Sequence, residues 1–428
     1  MSATHRIAII GSGIAGLGAA WLLGREHEVT LFERHDAPGM GAFNISLETA
    51  GGCRRIDVPL RVFKAGYYAN LCALYRAAGV AMQASDHAAV YYRGDGPSPY
   101  FRYRNLHLGR WSLPLVAARN IGALAIAREV LRFQRQGRAD LAAGRAAGVS
   151  LAGYLEARPF SDAFVEGVLL PTFAAIATCS YADVRRYPAE AIIDFFTRGS
   201  LLSGIWRARF GADDAVARLL APVQQVRCHS EVVAIHPGPE GVAVRMADGS
   251  EQHFDLAVLA VQAHQARELV AGQDPHAAAL LARIPHVTSE VVVHSAPESI
   301  PGGITPGSPV SYLVAEGQAA PMASIHLNAV VPALAAERPL FQTWNPLREP
   351  RADAVLGRAR FERPLVSLDS QAAVADLGRL QSERQRRLHY CGSYAMPGIP
   401  LLESAVQSAM AIAERLGAPA PWADSGTE

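Results

Sequence analysis

The sequence predicts an α/β protein of two lobes, one of them a parallel sheet built from both ends of the chain. Three observations carry that expectation. A strand–glycine–helix–strand unit fills Arg6 to Arg34, RIAIIGSGIAGLGAAWLLGREHEVTLFER. A strand, a glycine loop and a helix recur near the far end, from Leu388-His389-Tyr390 through Gly392 to Gly417. Between them lie a helix-rich stretch and two strand-rich stretches, and 428 residues exceed the usual size of one domain.

In the first unit, Ile7 to Ile10 is a short branched apolar run, the pattern of a strand buried on both faces. Gly11, Gly13 and Gly16 follow in G-x-G-x-x-G spacing, and an apolar helical pattern continues through Leu23 until Gly24 ends it. Gly11 permits a tight turn, Gly13 lets a pyrophosphate approach the backbone, and Gly16 lets helix and strand pack closely. The helix N-terminus offers unpaired N–H groups and a positive dipole end to phosphates. The second strand, Val29 to Phe32, finishes on Glu33, 20 residues beyond Gly13, where a carboxylate can accept hydrogen bonds from a ribose. Strand, turn, helix and acidic strand end together predict a Rossmann-type dinucleotide site.

Composition narrows the function classes. Half of the residues are hydrophobic and only 18% are charged, enough to bury a large core and to handle apolar ligands. A net charge of +1 gives no electrostatic case for nucleic acid. Cys53, Cys72, Cys179, Cys228 and Cys391 stand far apart, which favours reduced, buried thiols in a cytoplasmic protein over a disulfide frame or a zinc site. The chain enters its first strand almost at once, leaving no room for a secretion signal, and the longest charge-free segment, Gly317 to Ala336, is too polar to span a membrane.

After Glu33 comes a second glycine-bearing loop, Ala37 to Asn44, carrying Gly39 and Gly41. Arg61 lies among apolar residues in RIDVPLRVF, where it pairs with Asp57 or contacts cofactor or substrate. Tyr67 to Ala78 reads as a helix, Val90 to Arg104 as strands around a turn at Gly94-Asp95-Gly96-Pro97, and Trp111 to Phe210 as mainly helical. Within that region Arg128, Arg132 and Arg135 read as a basic face opposite Leu124, Ala127 and Leu131, either solvated or resting on an anionic membrane. Val168 to Thr178 is apolar enough to line a greasy cavity, and Asp213 to Leu220 begins another helix. A meander from Glu231 to Phe254, a buried strand Asp255 to Ala260, a helical stretch Gln262 to Leu281 and a second sheet from Thr288 to His294 and Val310 to Trp344 follow. The residues after Ala418 read as a disordered tail.

The chain resembles bacterial FAD-dependent oxidoreductases of the amine-oxidase and phytoene-desaturase superfamily, protoporphyrinogen-oxidase-like proteins included, and is most similar to flavoproteins linked to fatty-acyl modification. The segments that carry the likeness are IAIIGSGIAGLGAAWLL, HEVTLFER, DVPLRVF with YYANLCALYRAAGV, the Asp255–Val261 strand, FQTWNPL, and YCGSY through LLESAVQSAMAIAERL. It implies a discontinuous, glutathione-reductase-like FAD domain from residues 1–70, 215–285 and 381–417. A substrate domain would be mainly helical at 71–214 and sheet at 286–380, with 418–428 as tail. It also implies that Gly11, Gly13, Ile14, Ala15 and Gly16 meet the pyrophosphate and that Glu33, beside Arg34, meets the adenosine ribose. Val232 or Val233 would touch adenine through backbone groups, and Gly41 would approach the far side of the cofactor. Gly392 would lie over the ribityl–phosphate region, and the helix opening at Glu403, Ser404 and Ala405 would point at the flavin pyrimidine carbonyl.

The second glycine loop departs from the family pattern at Met40 and Phe43, and Met396-Pro397-Gly398-Ile399-Pro400 replaces a glycine-rich loop. Arg61, Tyr394 and Trp344 are the candidates for pocket roles. The reaction implied is hydride transfer between flavin N5 and a carbon of an apolar substrate, an acyl chain or similar lipid, with dioxygen or a quinone as acceptor. Amine oxidation and a non-catalytic FAD-binding role beside a lipid-modifying partner are the alternatives. No metal cluster, Ser–His–Asp set or second dinucleotide motif is visible in the sequence.

Overall fold

The computed structural model describes residues 4–41, 43–49, 52–94, 96, 98–108, 111–117, 121–198 and 204–423. The nucleotide lobe is a five-stranded parallel sheet in the order Gln225–Arg227, Glu28–Phe32, Arg6–Ile10, Leu256–Leu259, Leu388–Tyr390. Ile7, Ala8, Ile9, Leu256, Ala257 and Val258 are buried because helices cover one face and a three-stranded meander the other. Helix Ile14–Leu23 is buried along its whole length and packs on helix Leu402–Arg415, where Gly18 faces Ala409. The last helix therefore completes the lobe that the first one opens.

The second lobe is an eight-stranded mixed sheet in the order Val355–Pro364, His286–His294, Phe341–Trp344, Met322–His326, Val310–Val314, Ala89–Arg93, Phe101–Leu108, Trp111–Val116. A helical cap led by Ile121–Ala142 and Ala189–Arg198 closes over its far half. Three strands (Phe63–Lys64, Ile205–Ala208 and Met82–Ser85) form a small sheet at the junction.

Several expectations are corrected. The stretch expected to be mainly helical from Trp111 begins with strand Trp111–Val116 and closes with strand Ile205–Ala208. The stretch Gln262 to Leu281 is two helices, Ala263–Leu269 and Pro275–Leu281, because Asp274 caps and Pro275 starts the second. Helix Leu368–Leu380, placed by sequence with the substrate sheet, buries Val374, Leu377 and Leu380 among Ile10, Leu259 and Tyr390 of the nucleotide lobe. Strands Ile45–Thr49 and Gly52–Ile56, placed with the nucleotide lobe, pack through Ile45, Leu47 and Ile56 against Val291 and Val293 of the large sheet.

The chain after Ala418 is not a loose tail through residue 423. Ala418 and Ala420 are buried, and Trp422 packs tilted against Trp21 at 6.1 Å and donates to Asn70. Residues 424–428, like Asp95 and Pro97 of the expected turn and Ala42 of the second glycine loop, lie outside the described residues. All five cysteines are free; Cys72, Cys179 and Cys391 are buried, but Cys53 is exposed.

Candidate functional site: a cavity joining both ends of the chain

The backbone of the glycine loop dictates what can lie beside it. Gly11 takes a φ of +97°, which only glycine adopts freely. A Cβ on Gly16 would stand 2.0 Å from the Gly11 carbonyl oxygen, so the helix can approach the strand only without one. Gly13 is different: a Cβ there would meet nothing within 4 Å. It caps helix Ile14–Leu23 with no side-chain hydrogen bond and no acid in the first turn. An open, uncapped, positive helix end beside a glycine is a place where a phosphate group fits.

Glu33 is buried, and its Oε2 accepts from the Ser12 backbone N–H at 3.2 Å and from the Ser12 hydroxyl. Its Oε1 accepts from the His35 N–H at 2.9 Å, while the Ser12 hydroxyl accepts from the Gly39 N–H at 2.6 Å. Ser12 thus ties the two glycine loops to the acidic strand end, a role that sequence reasoning missed. A polar residue inside G-x-G was the available signal. Arg34 is exposed beside this knot, its Nε donating to His35. In the meander, register shifts between Val232 and Ala234, so Val233 bulges out of the ladder and is 45% exposed. Its backbone is thereby released from pairing with the next strand.

The two chain ends meet here. The Cys391 thiol donates to the Ala15 carbonyl at 3.7 Å, and the Gly392 N–H donates to Ser408 Oγ at 3.0 Å. From this junction a cavity of about 660 Å³ runs into the second lobe. Ile14, Met40, Ser393, Leu401 and Leu402 line its near end; Met40 is the middle residue of the turn Gly39–Gly41.

Farther in, the walls are aromatic and aliphatic. Tyr91 stacks on Tyr312 at 4.6 Å with planes 9° apart and shares a hydrogen bond with Thr172 at 2.8 Å. Phe173 and Phe195 meet edge to face at 5.6 Å, and Val168 and Ile176 stand beside them. Val168 to Thr178 therefore does line the cavity. Trp344 also lines it, 5.9 Å from Phe361. The aromatic wall was hidden from the sequence because its members come from separate strands and helices.

Charge along the cavity is one-sided. Arg61, Lys64 and Arg363 all line it, and burial lowers the proton affinity of each. The expected ion pair of Arg61 with Asp57 does not form. Asp57 instead accepts from the Ala212 N–H at 3.0 Å and Asn44 Nδ2 at 3.4 Å, while Arg61 Nη1 donates to the Pro59 carbonyl at 3.2 Å. Among the described residues, none of the three cations has a carboxylate within 4.0 Å. The guanidinium groups stay charged regardless. Glu362 also lines the cavity, but it is exposed and pairs with His264 at 3.2 Å. No group of three or more His, Cys, Asp or Glu able to hold a metal occurs among the described residues.

Four candidates sit elsewhere. Tyr394 is buried in the nucleotide-lobe core against Gly392, away from the large cavity, because its ring fills the space that a Gly392 side chain would occupy. The Glu403 carboxylate caps a neighbouring helix, Ala69–Ala77, accepting from the Asn70 and Leu71 N–H groups at 3.1 and 3.0 Å. Burial holds its pKa above the usual carboxylate value. Ser404 caps its own helix through Leu401, and Ala405 is core. The residues of this helix start that reach the cavity are Leu401 and Leu402.

Residues 9–78 match the NAD(P)-binding Rossmann-like domain family. No curated protein sequence matches the chain. Solved structures of the same architecture do. A conjugated-linoleic-acid-producing fatty acid isomerase from P. acnes is 15% identical, with a TM-score of 0.63 over 97% of this chain and 99% of its own. A protein assigned as a protoporphyrinogen oxidase from Exiguobacterium sp. 255-15 is 16% identical, with a TM-score of 0.61 over 97% and 98%. A putrescine oxidase solved with putrescine bound is 13% identical, with a TM-score of 0.64 over 97% and 99%. The dinucleotide segment at 9–78 and the whole-chain superpositions place this protein in the two-domain fold shared by these oxidases and the isomerase.

Proposed function

We propose that this chain is an FAD-dependent oxidoreductase acting on a carbon of an apolar, acyl-like carboxylate. The observation that carries the reading is the continuity of one cavity. It starts at the phosphate-fitting helix end beside Gly13, passes the Leu401–Leu402 helix start, and ends among aromatic and aliphatic walls.

Bound there, FAD would supply two-electron redox chemistry by accepting or returning a hydride at N5. The protein's own work is holding and orientation. Gly13, Ile14, Ala15 and Gly16 would offer N–H groups to the pyrophosphate, Gly11 permitting the turn. Glu33, fixed by Ser12 and flanked by Arg34, would take the ribose, and the released backbone at Val233, next to Val232, the adenine edge. Gly41 would approach the far side of the cofactor, and Gly392 would lie over its ribityl–phosphate region. The start of helix Leu402–Arg415 would direct its positive dipole end at the flavin, where negative charge appears on reduction.

Arg61, Lys64 and Arg363 would bind the substrate carboxylate, and Trp344, Tyr91 and Phe173 would enclose its chain and exclude water. The same site argues against amine oxidation, since a protonated amine would enter a cavity already lined by the charged guanidinium groups of Arg61 and Arg363.

Reconstitution with FAD followed by anaerobic titration tests this. Bleaching of the flavin absorbance by a long-chain fatty acid, or product isomerised or desaturated at a carbon–carbon bond, is expected. Binding of FAD with neither bleaching nor product, across saturated and unsaturated acids, would favour a structural flavin instead.

A further inference from the structure

The far end of the cavity is walled by two neighbouring elements, hairpin Phe101–Leu108/Trp111–Val116 and helix Ile121–Ala142. Pairing in the hairpin puts Tyr103 opposite Val116 and Asn105 opposite Pro114, and these four side chains line the cavity. The alternate pairs, Arg104 with Leu115 and Leu106 with Leu113, must then point outward. Leu106 and Leu113 are indeed exposed.

The helix behaves in the same way. Ala127 and Val130 face the cavity, while Ile121, Leu124 and Leu131 are 86%, 52% and 58% exposed. Leu131 is both exposed and cavity-lining, so it stands at the rim. The arrangement corrects the sequence reading of this helix. At 100° per residue Leu124, Arg128, Leu131 and Arg135 fall on one face rather than on opposite ones, and all four are exposed. Arg132, by contrast, turns aside to pair with Glu129 at 2.9 Å.

Of the eleven large apolar side chains exposed among the described residues, five belong to these two elements. Isolated exposed apolar residues are ordinary, but a cluster at a cavity rim is not. Residues 101–128 hold five Arg and no Asp or Glu. Apolar side chains interspersed with Arg104, Arg128 and Arg135, none of which pairs with a carboxylate among the described residues, match an anionic bilayer surface.

We infer that the outer face of helix Ile121–Ala142 and of the adjoining hairpin docks on an anionic lipid bilayer, with the cavity rim at Leu131 turned toward the lipid. Leu106, Leu113, Ile121 and Leu124 would enter the interface, and Arg104, Arg128 and Arg135 would meet lipid phosphates. No helix among the described residues is long and apolar enough to cross the membrane, so the attachment is peripheral. An apolar molecule would then pass between bilayer and cavity without crossing water. The docking face stands independently of the redox reading, since it requires neither flavin nor turnover.

Co-sedimentation of the full chain with vesicles tests it. Binding to phosphatidylglycerol–phosphatidylcholine vesicles at low salt is expected, weakening steeply as salt screens the arginines. The double substitution R128E/R135E should cut binding at least tenfold, on a scale of about fivefold for each Arg removed. Leu124→Glu should do likewise with an unchanged melting temperature. Equal binding to neutral and anionic vesicles, or no binding at any salt, overturns the proposal. So does a salt-stable dimer that L124E converts to monomer, because the face would then be covered by a second copy. The salt series on the unsubstituted protein decides the matter even if a variant fails to fold.

Discussion

The two lobes offer a ligand different kinds of contact. In the nucleotide lobe the contacts available are backbone ones: the turn at Gly11, the open helix end at Gly13, the bulge at Val233 and the helix start at Leu402. In the cavity arm they are side chains, with Arg61, Lys64 and Arg363 for charge and Tyr91, Tyr312 and Phe173 for shape. A backbone site needs residues that are absent as much as residues that are present, so one added methyl group can remove it. A side-chain site degrades piece by piece. The first kind suits a shared cofactor, and the second is where one protein of this fold can differ from another in substrate.

Two neighbouring glycines give the sharpest break in that comparison. Gly16→Ala places a Cβ 2.0 Å from the Gly11 carbonyl oxygen, a clash with backbone that cannot yield. It is expected to cost about 3 kcal/mol or more and to leave little folded protein by circular dichroism. Gly13→Ala meets nothing within 4 Å and should fold with a nearly unchanged melting temperature. Its methyl group would nonetheless occupy the phosphate cradle and weaken FAD binding by roughly tenfold or more, read by flavin fluorescence. If G13A bound FAD as well as the parent protein, the cofactor would not lie on this loop.

On the side-chain half, Arg61→Ala and Arg363→Ala should leave FAD affinity intact. KM for a fatty acid should rise on the order of 10- to 100-fold, the range for losing a hydrogen bond to a charged group. The corresponding fatty alcohol should be insensitive to either substitution. Equal effects on acid and alcohol would mean that the arginines act on the flavin instead.

The same contrast explains what could be read from the sequence. Gly11, Gly13, Gly16 and Glu33 were legible because a backbone motif is contiguous, its residues fixed by one turn and one helix start. The return of the chain through Gly392 to helix Leu402–Arg415 was legible for the same reason. The pairing of Arg61 was misread because Asp57, four residues away, turns to helix Gly211–Leu219, a partner distant in sequence. Tyr394 and Glu403 looked like site residues from their neighbours, yet whether a side chain faces a cavity or a core is decided by elements that pack later. The aromatic pair Tyr91 and Tyr312 belongs to parallel strands more than 200 residues apart, and no local pattern marks it.

A smaller effect concerns pH, and the nucleotide lobe supplies it. His389 lies buried on the edge strand of the parallel sheet with neither ring nitrogen bonded, and burial lowers its pKa from 6.5 to about 4. The folded protein holds this ring neutral while the unfolded chain protonates it near pH 6.5. The unfolded state therefore binds more protons between about pH 6.5 and 4, and stability falls as pH falls through that window. His286 and His294, also lowered to about 4 by burial, add the same trend from the other lobe. His389→Phe should flatten the decline in melting temperature across this range. A decline as steep as in the parent would assign the acid sensitivity to the large sheet.

The smallest effect is expected at the chain end, where Ala418, Ala420 and Trp422 lie against the nucleotide lobe. Trp422 covers Trp21 on the helix that begins at Ile14, and its indole N–H donates to Asn70 of the helix that Glu403 caps. The segment thus fastens two helices whose starts, at Ile14 and Tyr68, line the cavity. Truncation after Gly417 would uncover Trp21 at a cost of about 1–3 kcal/mol, the value for exposing one large apolar side chain. Trp422→Phe keeps the ring contact, loses the hydrogen bond and should fall about 1 kcal/mol short of the parent. Because no residue of the segment lines the cavity, both changes should lower the melting temperature by the same amount with and without FAD. A truncation that weakened FAD binding as well would mean that helix Ile14–Leu23 shifts when its outer face is bared, and that the backbone site is less rigid than the side-chain site beside it.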